Sequence, residues 1–394
     1  MHTHASRIVQ AFVRNQLDLI HAARRDLWGA AVLSVMSGQW LSLSRLARGM
    51  MGAGTLKAAL KRVDRLIGNA RIAREAQLIG AALVRRLCQG IEPMVIAVDW
   101  TAVAPGSKFV ELRAALVHAG MGRGLTIYQQ VYPLRKLGNG RCEEALLRRL
   151  HEWIPAGRPV IFVTDTGFRR PWFAHIERLG WMWIGRVRSG VHVSRDNAHW
   201  EDAAGWFAQA TGKAQRWCDC FLTRRYRFGC DMVLVRRRAL GAKRYGRVGH
   251  GSSSKAQREA RASAHEPWLL AHSSSLRGYR AEQIVGWYAR RMQIEENFRD
   301  HKSPELGMGL QLSQSRSALR LLALLLIGSV AAFFLWHIGQ LAEAEGVHRR
   351  FKATTRKARE FSIITLALLL CALPALPLTD FAIHILYQRL GIRQ

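Results

Sequence analysis

Two short apolar runs constrain the fold of this chain more than any other feature. Residues 94–98 (MVIAV) and 160–164 (VIFVT) are each one strand long, and neither alternates with charged residues. A strand with one face in water alternates, so both runs predict central strands buried on two faces, the habit of a layered α/β fold. Each run is closed by an aspartate, Asp99 in VDWT and Asp165 in TDTGF. Open α/β sheets gather their sites at the C-terminal ends of such strands. A single aspartate there commonly caps a turn, whereas a pair raises the case for catalysis.

The stretches around these runs fill in a domain. Residues 109–118 and 125–132 read as two more strands, joined by the glycine turn GMGRG at 120–124. Apolar spacing at Ala145, Leu146 and Leu150 predicts a helix over 142–154. A helix over 172–179 and a strand over 181–187 complete the order β-β-β-α-β-α-β. Residues 189–265 read as a β-rich insertion with strands at 216–223 and 232–238. Trp200, Trp206 and Phe207 are its aromatic anchors. Its basic Gly/Ser-rich segment 241–265 is expected to be a mobile loop that contacts phosphate. Residues 267–271 (PWLLA) return the chain to the sheet as a strand.

Upstream, residues 1–90 read as helical. Within them Leu43, Leu46 and Ala47 form a short apolar face, and a glycine-bearing turn follows. Thr55 is placed to cap a second helix through Leu60, Val63 and Leu66. That helix carries Lys57, Lys61, Arg62 and Arg65, a pattern compatible with a helix-turn-helix reader of DNA and equally with a solvated bundle face.

Residues 279–303 contain no proline until Pro304 and read as one long helix. At 100° per residue, Tyr288, Arg291, Glu295 and Lys302 fall at roughly 0°, 300°, 340° and 320°, on one narrow face. A carboxylate flanked by two cations and a phenol suits a metal ion beside a phosphate. In-line phosphoryl transfer needs two divalent ions about 3.5–4 Å apart. Glu295 is the natural third carboxylate beside Asp99 and Asp165.

Charge points to the partner. Lys and Arg number 59 against 28 acids, a formal +31. Such an excess implies nucleic acid or an anionic surface. The excess is spread along the chain, with 14 basic and 4 acidic residues in 1–90 and 15 and 6 in 189–265, as befits a long polyanion touched in several places. The six cysteines include no CxxC pair, and Cys218 and Cys220 alternate in an expected strand as packing residues. The N-terminus lacks the apolar region of a signal peptide, so a cytoplasmic location is expected. Two apolar runs, 321–338 and 361–378, are long enough to suggest membrane spans, but Pro374 and Pro377 break the second. Both are expected to be core helices, with no membrane. The segment between them, 347–360, is basic: a solvated face or a further DNA contact.

With Asp99, Asp165 and Glu295 in hand, the pattern resembles the DDE transposases of the RNase H-like superfamily. Tyr288, Arg291, Glu295 and Lys302 match the spacing of the YREK signature: Tyr, two residues, Arg, three, Glu, six, Lys. That signature marks the insertion-sequence 4 family of bacterial cut-and-paste elements. The resemblance covers residues 10–345 and implies four parts: a helical DNA-binding region (1–90), an RNase H-like core (91–188 and 266–345), the β-rich insertion (189–265) and a helical C-terminal region (346–394). It implies that Asp99, Asp165 and Glu295 hold two Mg²⁺ ions, with Mn²⁺ able to substitute. Tyr288, Arg291 and Lys302 would hold phosphates, and Trp268 would stack on a flipped base. The partner would be double-stranded DNA, transposon-end inverted repeats and target, bound by a homodimer in the bacterial cytoplasm at the nucleoid. Chemistry would run through end nicking, hairpins and joining of the 3′-hydroxyl to target. An RNase H-fold nuclease without strand transfer, a DNA-binding repressor and a basic membrane protein are the alternatives.

Overall fold

A computed structural model of the chain describes residues 4–237, 266–305, 307–355, 360–373 and 375–392. The basic segment expected to be a mobile loop, 241–265, lies outside them, as does 356–359 of the basic link. The chain forms two compact units, one of Met1–Arg158 with Met292–Gln394 and one of Pro159–Arg291.

The first unit begins with five helices: α1 (His4–Gln16), α2 (Ala22–Met36), α3 (Leu43–Gly49), α4 (Leu56–Ile67) and α5 (Ile72–Leu87). Thr55 caps α4 as its sequence position suggests, its hydroxyl accepting the Ala58 N–H at 3.2 Å. Three antiparallel strands follow, β1 (Met94–Ala102), β2 (Phe109–Leu116) and β3 (Leu125–Pro133), in the order β3-β2-β1. Helix α6 (Gly140–Trp153) follows them, its N-terminus capped by the Asn139 side chain.

The second unit holds β4 (Val160–Thr164), α7 (Arg170–Arg178), β5 (Met182–Val187), β6 (His192–Ser194), β7 (Glu201–Asp202), α8 (Ala204–Phe207), β8 (Gln215–Leu222), β9 (Phe228–Val235), β10 (Trp268–His272) and α9 (Ala281–Ala289). Its strand order is β4-β5-β10-β9-β8-β6-β7, with β4 and β5 parallel and β10 antiparallel to both neighbours. All five residues of β4 are buried, as its unbroken apolar sequence requires. Along the chain, β1-β2-β3-α6-β4-α7-β5 is the order expected from the sequence, and the expected mixed α/β class holds. In the insertion, Trp206 is fully buried. Cys220 is buried too, but Cys218 is exposed. A bulge between Trp217 and Cys220, with Asp219 at φ 56°, breaks the alternation that would have packed both cysteines.

The expectation of one long helix needs correction too. Residues 279–303 do not form a single helix. The stretch divides into α9 and α10 (Met292–Lys302), with Arg290 and Arg291 in a turn between them. The Arg290 and Arg291 amides bond three residues back, to the Trp287 and Tyr288 carbonyls, which tightens the last turn and ends α9. No proline or glycine forces the break. Each half packs on different strands, α9 on β4, β5 and β9 of the second unit and α10 on β1 and β3 of the first, so the demands of packing override the continuous helical period. The shared face calculated for Tyr288, Arg291, Glu295 and Lys302 therefore does not exist as a helical face.

The uncharged run 321–338 is the centre of α11 (Ala318–Ala344). Length and mean hydropathy alone would let it cross a membrane, yet 83% of its most apolar 18-residue window is buried within the protein. It packs against α2, α4, α5 and β3 and against α12 (Ile363–Cys371) and α13 (Asp380–Leu390). His337 lies within α11, its ring 4.8 Å from Phe333 and 4.9 Å from Trp336. Burial, assisted by the Arg389 charge, lowers its pKa to about 3. The unfolded chain takes up this proton below the ordinary value of 6.5 and the native chain does not until about 3, so His337 costs stability as pH falls through that window. His337→Leu is expected to lessen the acid-side loss by about 1.4 kcal/mol per pH unit, read from urea midpoints at pH 6.5 and 5.

Candidate active site

The sequence-selected residues divide between the two units. In the second, β4 delivers Asp165 one residue past its end. Two guanidiniums face one of its oxygens: Arg188 Nη2 lies 3.6 Å from Oδ2 and Arg291 Nη2 3.8 Å. The other oxygen, Oδ1, is buried with no hydrogen-bond partner. Parallel pairing explains the arrangement, because Thr164 lies opposite Gly185 and the chain beyond Gly185 carries Arg186 and Arg188. Tyr288 is buried on α9, and burial raises its phenol to about 12, against the pull of Arg291 and Arg186. Trp268 meets Tyr288 edge to face at 5.0 Å, and the Arg237 guanidinium lies 4.8 Å over the Trp268 ring. Asp165, Tyr288, Arg291 and Trp268 thus belong to one neighbourhood, to which Arg186, Arg188 and Arg237 add charge.

In the first unit, β1 carries Asp99 and Thr101 on one face. Asp99 Oδ1 accepts its neighbour's amide, Trp100 N–H, at 2.8 Å. Lys302, at the end of α10, donates to Thr101 Oγ1 at 2.6 Å, and its ammonium lies 5.1 Å over the Phe298 ring. Burial lowers Lys302 to about 8, with Glu111 and Asp99 pulling it up and Arg113 pushing it down. Glu295 is half-buried in the first turn of α10, where a carboxylate complements the helix dipole. Beneath these groups lies an ion pair that the sequence reading did not select. Arg113 Nε donates to Glu111 Oε1 at 2.7 Å, and both side chains are 0% exposed. Arg113 also bonds to Asn297 Oδ1 and stacks 4.7 Å from Phe298. His301 Nδ1 lies 3.2 Å from Arg113 and 2.8 Å from the Asn297 carbonyl oxygen. Burial and the Arg113 charge hold that imidazole neutral.

Lys57, Lys61, Arg62 and Arg65 are all exposed, on an α4 whose opposite face (Ala59, Val63, Leu66 and Ile67) is buried. One signal for the missed arginines was available: Arg186 and Arg188 sit two apart at the end of the strand expected over 181–187. Glu111 and Arg113 had no comparable signal, since period-two polar residues normally mark a solvated face.

The donor chemistry fits a hard divalent ion. An unpartnered, buried carboxylate oxygen is what such an ion seeks, and Mg²⁺ takes oxygen ligands. Among the described residues, no three His, Cys, Asp or Glu side chains form a ready-made cage. An ion here would therefore draw on water and substrate phosphate oxygens for the rest of its shell, the usual habit of Mg²⁺.

Carboxylates set among guanidinium and ammonium groups are the equipment of phosphoryl transfer on a polyanion. The family profile of the transposase DDE domain matches residues 91–331, and the chain belongs to that family. The family's work is DNA transposition, a nuclease and transferase chemistry for which DDE domains generally use divalent metals. Among solved structures, the chain is similar to a piggyBac transposase in a cryo-EM synaptic complex with hairpin DNA. Identity is 12% over 98% of this chain and 82% of that one, at a TM-score of 0.41. No curated protein matches the sequence.

The buried ion pair generates a test of its own. Removing one member leaves the other charged in the core, at a cost of about 3–5 kcal/mol, whereas replacing both by apolar residues is far cheaper. Arg113→Met is expected to show the full loss in urea unfolding and Glu111→Leu/Arg113→Met a much smaller one.

Proposed function

We propose that this protein is a cut-and-paste DNA transposase of the YREK type, of the insertion-sequence 4 family. The observation that carries the reading is Asp165, whose buried Oδ1 lacks a partner while Arg188 and Arg291 face Oδ2. Asp99, Asp165 and Glu295 would hold two Mg²⁺ ions. When bound, these ions supply activation of the attacking oxygen and charge neutralisation at the scissile phosphate. The chain's own groups do the rest. Arg291, joined by Arg188, grips phosphate oxygens beside Asp165, and Lys302 offers an ammonium from beside Thr101. Tyr288, neutral at physiological pH, donates a hydrogen bond from a fixed ring. Trp268, flanked by Tyr288 and Arg237, offers a face on which an extruded base stacks.

In each chemical step a bond from an incoming oxygen to phosphorus forms as the bond to the leaving oxygen breaks. One set of positioning groups therefore serves end nicking by water, hairpin formation by the freed 3′-hydroxyl, hairpin opening and joining to target DNA. Lys57, Lys61, Arg62 and Arg65 on α4 hold the inverted repeat, and the active assembly is a homodimer on DNA in the bacterial cytoplasm. The +31 charge supports a partner of this length and sign.

The test is a cleavage and strand-transfer assay on a duplex taken from the DNA flanking the coding sequence. Glu295→Gln should lose cleavage by 10³-fold or more, on the order of 4 kcal/mol of barrier, yet bind the duplex as the parent does. Lys302→Ala should slow end processing without changing the Mg²⁺ requirement. Full cleavage by Glu295→Gln, or cleavage by the parent with no joined product, would overturn the assignment.

A further inference from the structure

The helix that carries Glu295 is seated by two clamps, and both lie within the first unit. The outer clamp is the β2–β3 turn. His118 N–H donates to Gln293 Oε1 at 3.3 Å and Gln293 Nε2 donates back to the His118 carbonyl at 2.9 Å. The Gly124 N–H donates to the Gln293 backbone carbonyl, also at 2.9 Å. Arg123, from the same turn, reaches Asp300 Oδ2 at 2.7 Å and Glu296 Oε2 at 3.7 Å. The turn approaches the helix closely at Gly124: a Cβ there would lie 3.1 Å from Ala115 Cβ and 3.3 Å from the Gln293 carbonyl oxygen. The inner clamp is Arg113, bonded to Asn297 and lying beside His301, with Thr126 Oγ1 donating to the same Asn297 oxygen at 3.0 Å.

Glu295 falls between Gln293 and Asn297, so the clamps bracket it in sequence by two residues on either side. A paired amide at Gln293 is more than packing demands, since Gln293 is half-exposed and water would satisfy its side chain at little cost. Directional bonds from a turn to both the side chain and the carbonyl of one residue fix the rotation and height of the helix start. Charge sets the third contact: burial raises the Asp300 carboxyl to about 6 and Arg123 opposes that rise.

We propose that Gln293 and Arg123, with Arg113 as the inner anchor, are positioning residues that set Glu295 for the divalent ion. The inference rests on the reading of Glu295 as a metal ligand. Groups that orient a metal ligand typically change metal affinity or activity by about 10–100-fold when removed, and a displacement of about 1 Å in a reacting constellation costs on the order of 10²-fold.

The full-length protein is tested as Gln293→Ala, Arg123→Gln, Arg123→Lys and Glu295→Gln. Three readouts are taken: Mn²⁺ binding without DNA by electron paramagnetic resonance, the Mg²⁺ concentration for half-maximal cleavage, and affinity for the flanking duplex without metal. Gln293→Ala and Arg123→Gln are expected to weaken Mn²⁺ binding about tenfold and to raise the Mg²⁺ midpoint by the same factor, with duplex affinity unchanged. Arg123→Lys, which keeps the charge, should recover part of the loss. Parent-like Mn²⁺ binding and Mg²⁺ midpoints in both variants, while Glu295→Gln loses both, overturn the positioning role alone. A lowered melting temperature with duplex affinity falling and Mn²⁺ affinity intact marks a merely structural role and overturns it as well. If Glu295→Gln itself binds Mn²⁺ and cleaves normally, the metal-ligand reading is the part that fails.

Discussion

A guanidinium with no access to water ties the second strand of the first unit to the helix that carries Glu295 and Lys302. Arg113 is paired with Glu111 on its own strand, bonded to Asn297 on α10, and covered by Phe298. A buried charge survives only with its partners in place, and losing one costs several kcal/mol. The pair is therefore an unforgiving register device: α10 cannot slide along β1–β3 without stranding it. Hydrophobic contacts tolerate such slips because they lack direction. Two lines of polar contact radiate from this point, through His301 toward Ser329 on α11 and through Asn297 to Thr126 on β3, and Lys302 at the end of the same helix reaches Thr101 beside Asp99.

The second unit solves a different electrostatic problem. Asp165 stands among Arg186, Arg188 and Arg291, and the local excess is positive even with Glu266 beside Arg186. The same sign prevails over the whole chain, where basic residues outnumber acidic ones by about two to one. On the proposed function, long-range attraction brings the polyanion near and the arginines beside Asp165 receive its phosphates.

How much of this was legible in the sequence follows from the kind of signal each part leaves. The central strands announced themselves because burial on two faces removes polar alternation, so both apolar runs and the aspartates after them stood out; Asp165 does follow the end of β4, whereas β1 continues past Asp99 to Ala102, its ladder with β2 extending beyond the apolar run. The α4 cap was readable because a threonine ahead of an amphipathic helix has one common use. The single helix over 279–303 failed because its sequence carries no breaker; only its packing partners change at Arg290 and Arg291, and a helical wheel does not contain that information. Glu111 and Arg113 hid for the opposite reason. Two charged residues spaced by two in a strand look like a wet face, and only the arrival of α10, some 180 residues later in the chain, makes that face dry. Cys218 was misjudged because a bulge interrupts the period on which its burial was inferred.

On the proposed function, the carboxylate held among arginines at the end of β4 serves a divalent ion during DNA strand breakage. A sulfur substitution tests it most directly, because thiolate ligates Mn²⁺ far more readily than Mg²⁺, which prefers oxygen. Asp165→Cys should fail to cut a flanking-sequence duplex in Mg²⁺ and recover cleavage in Mn²⁺, while the parent cuts in both. Cleavage by Asp165→Cys in Mg²⁺ at the parent's rate, or failure in both ions by a protein that is folded and binds the duplex, would contradict the account.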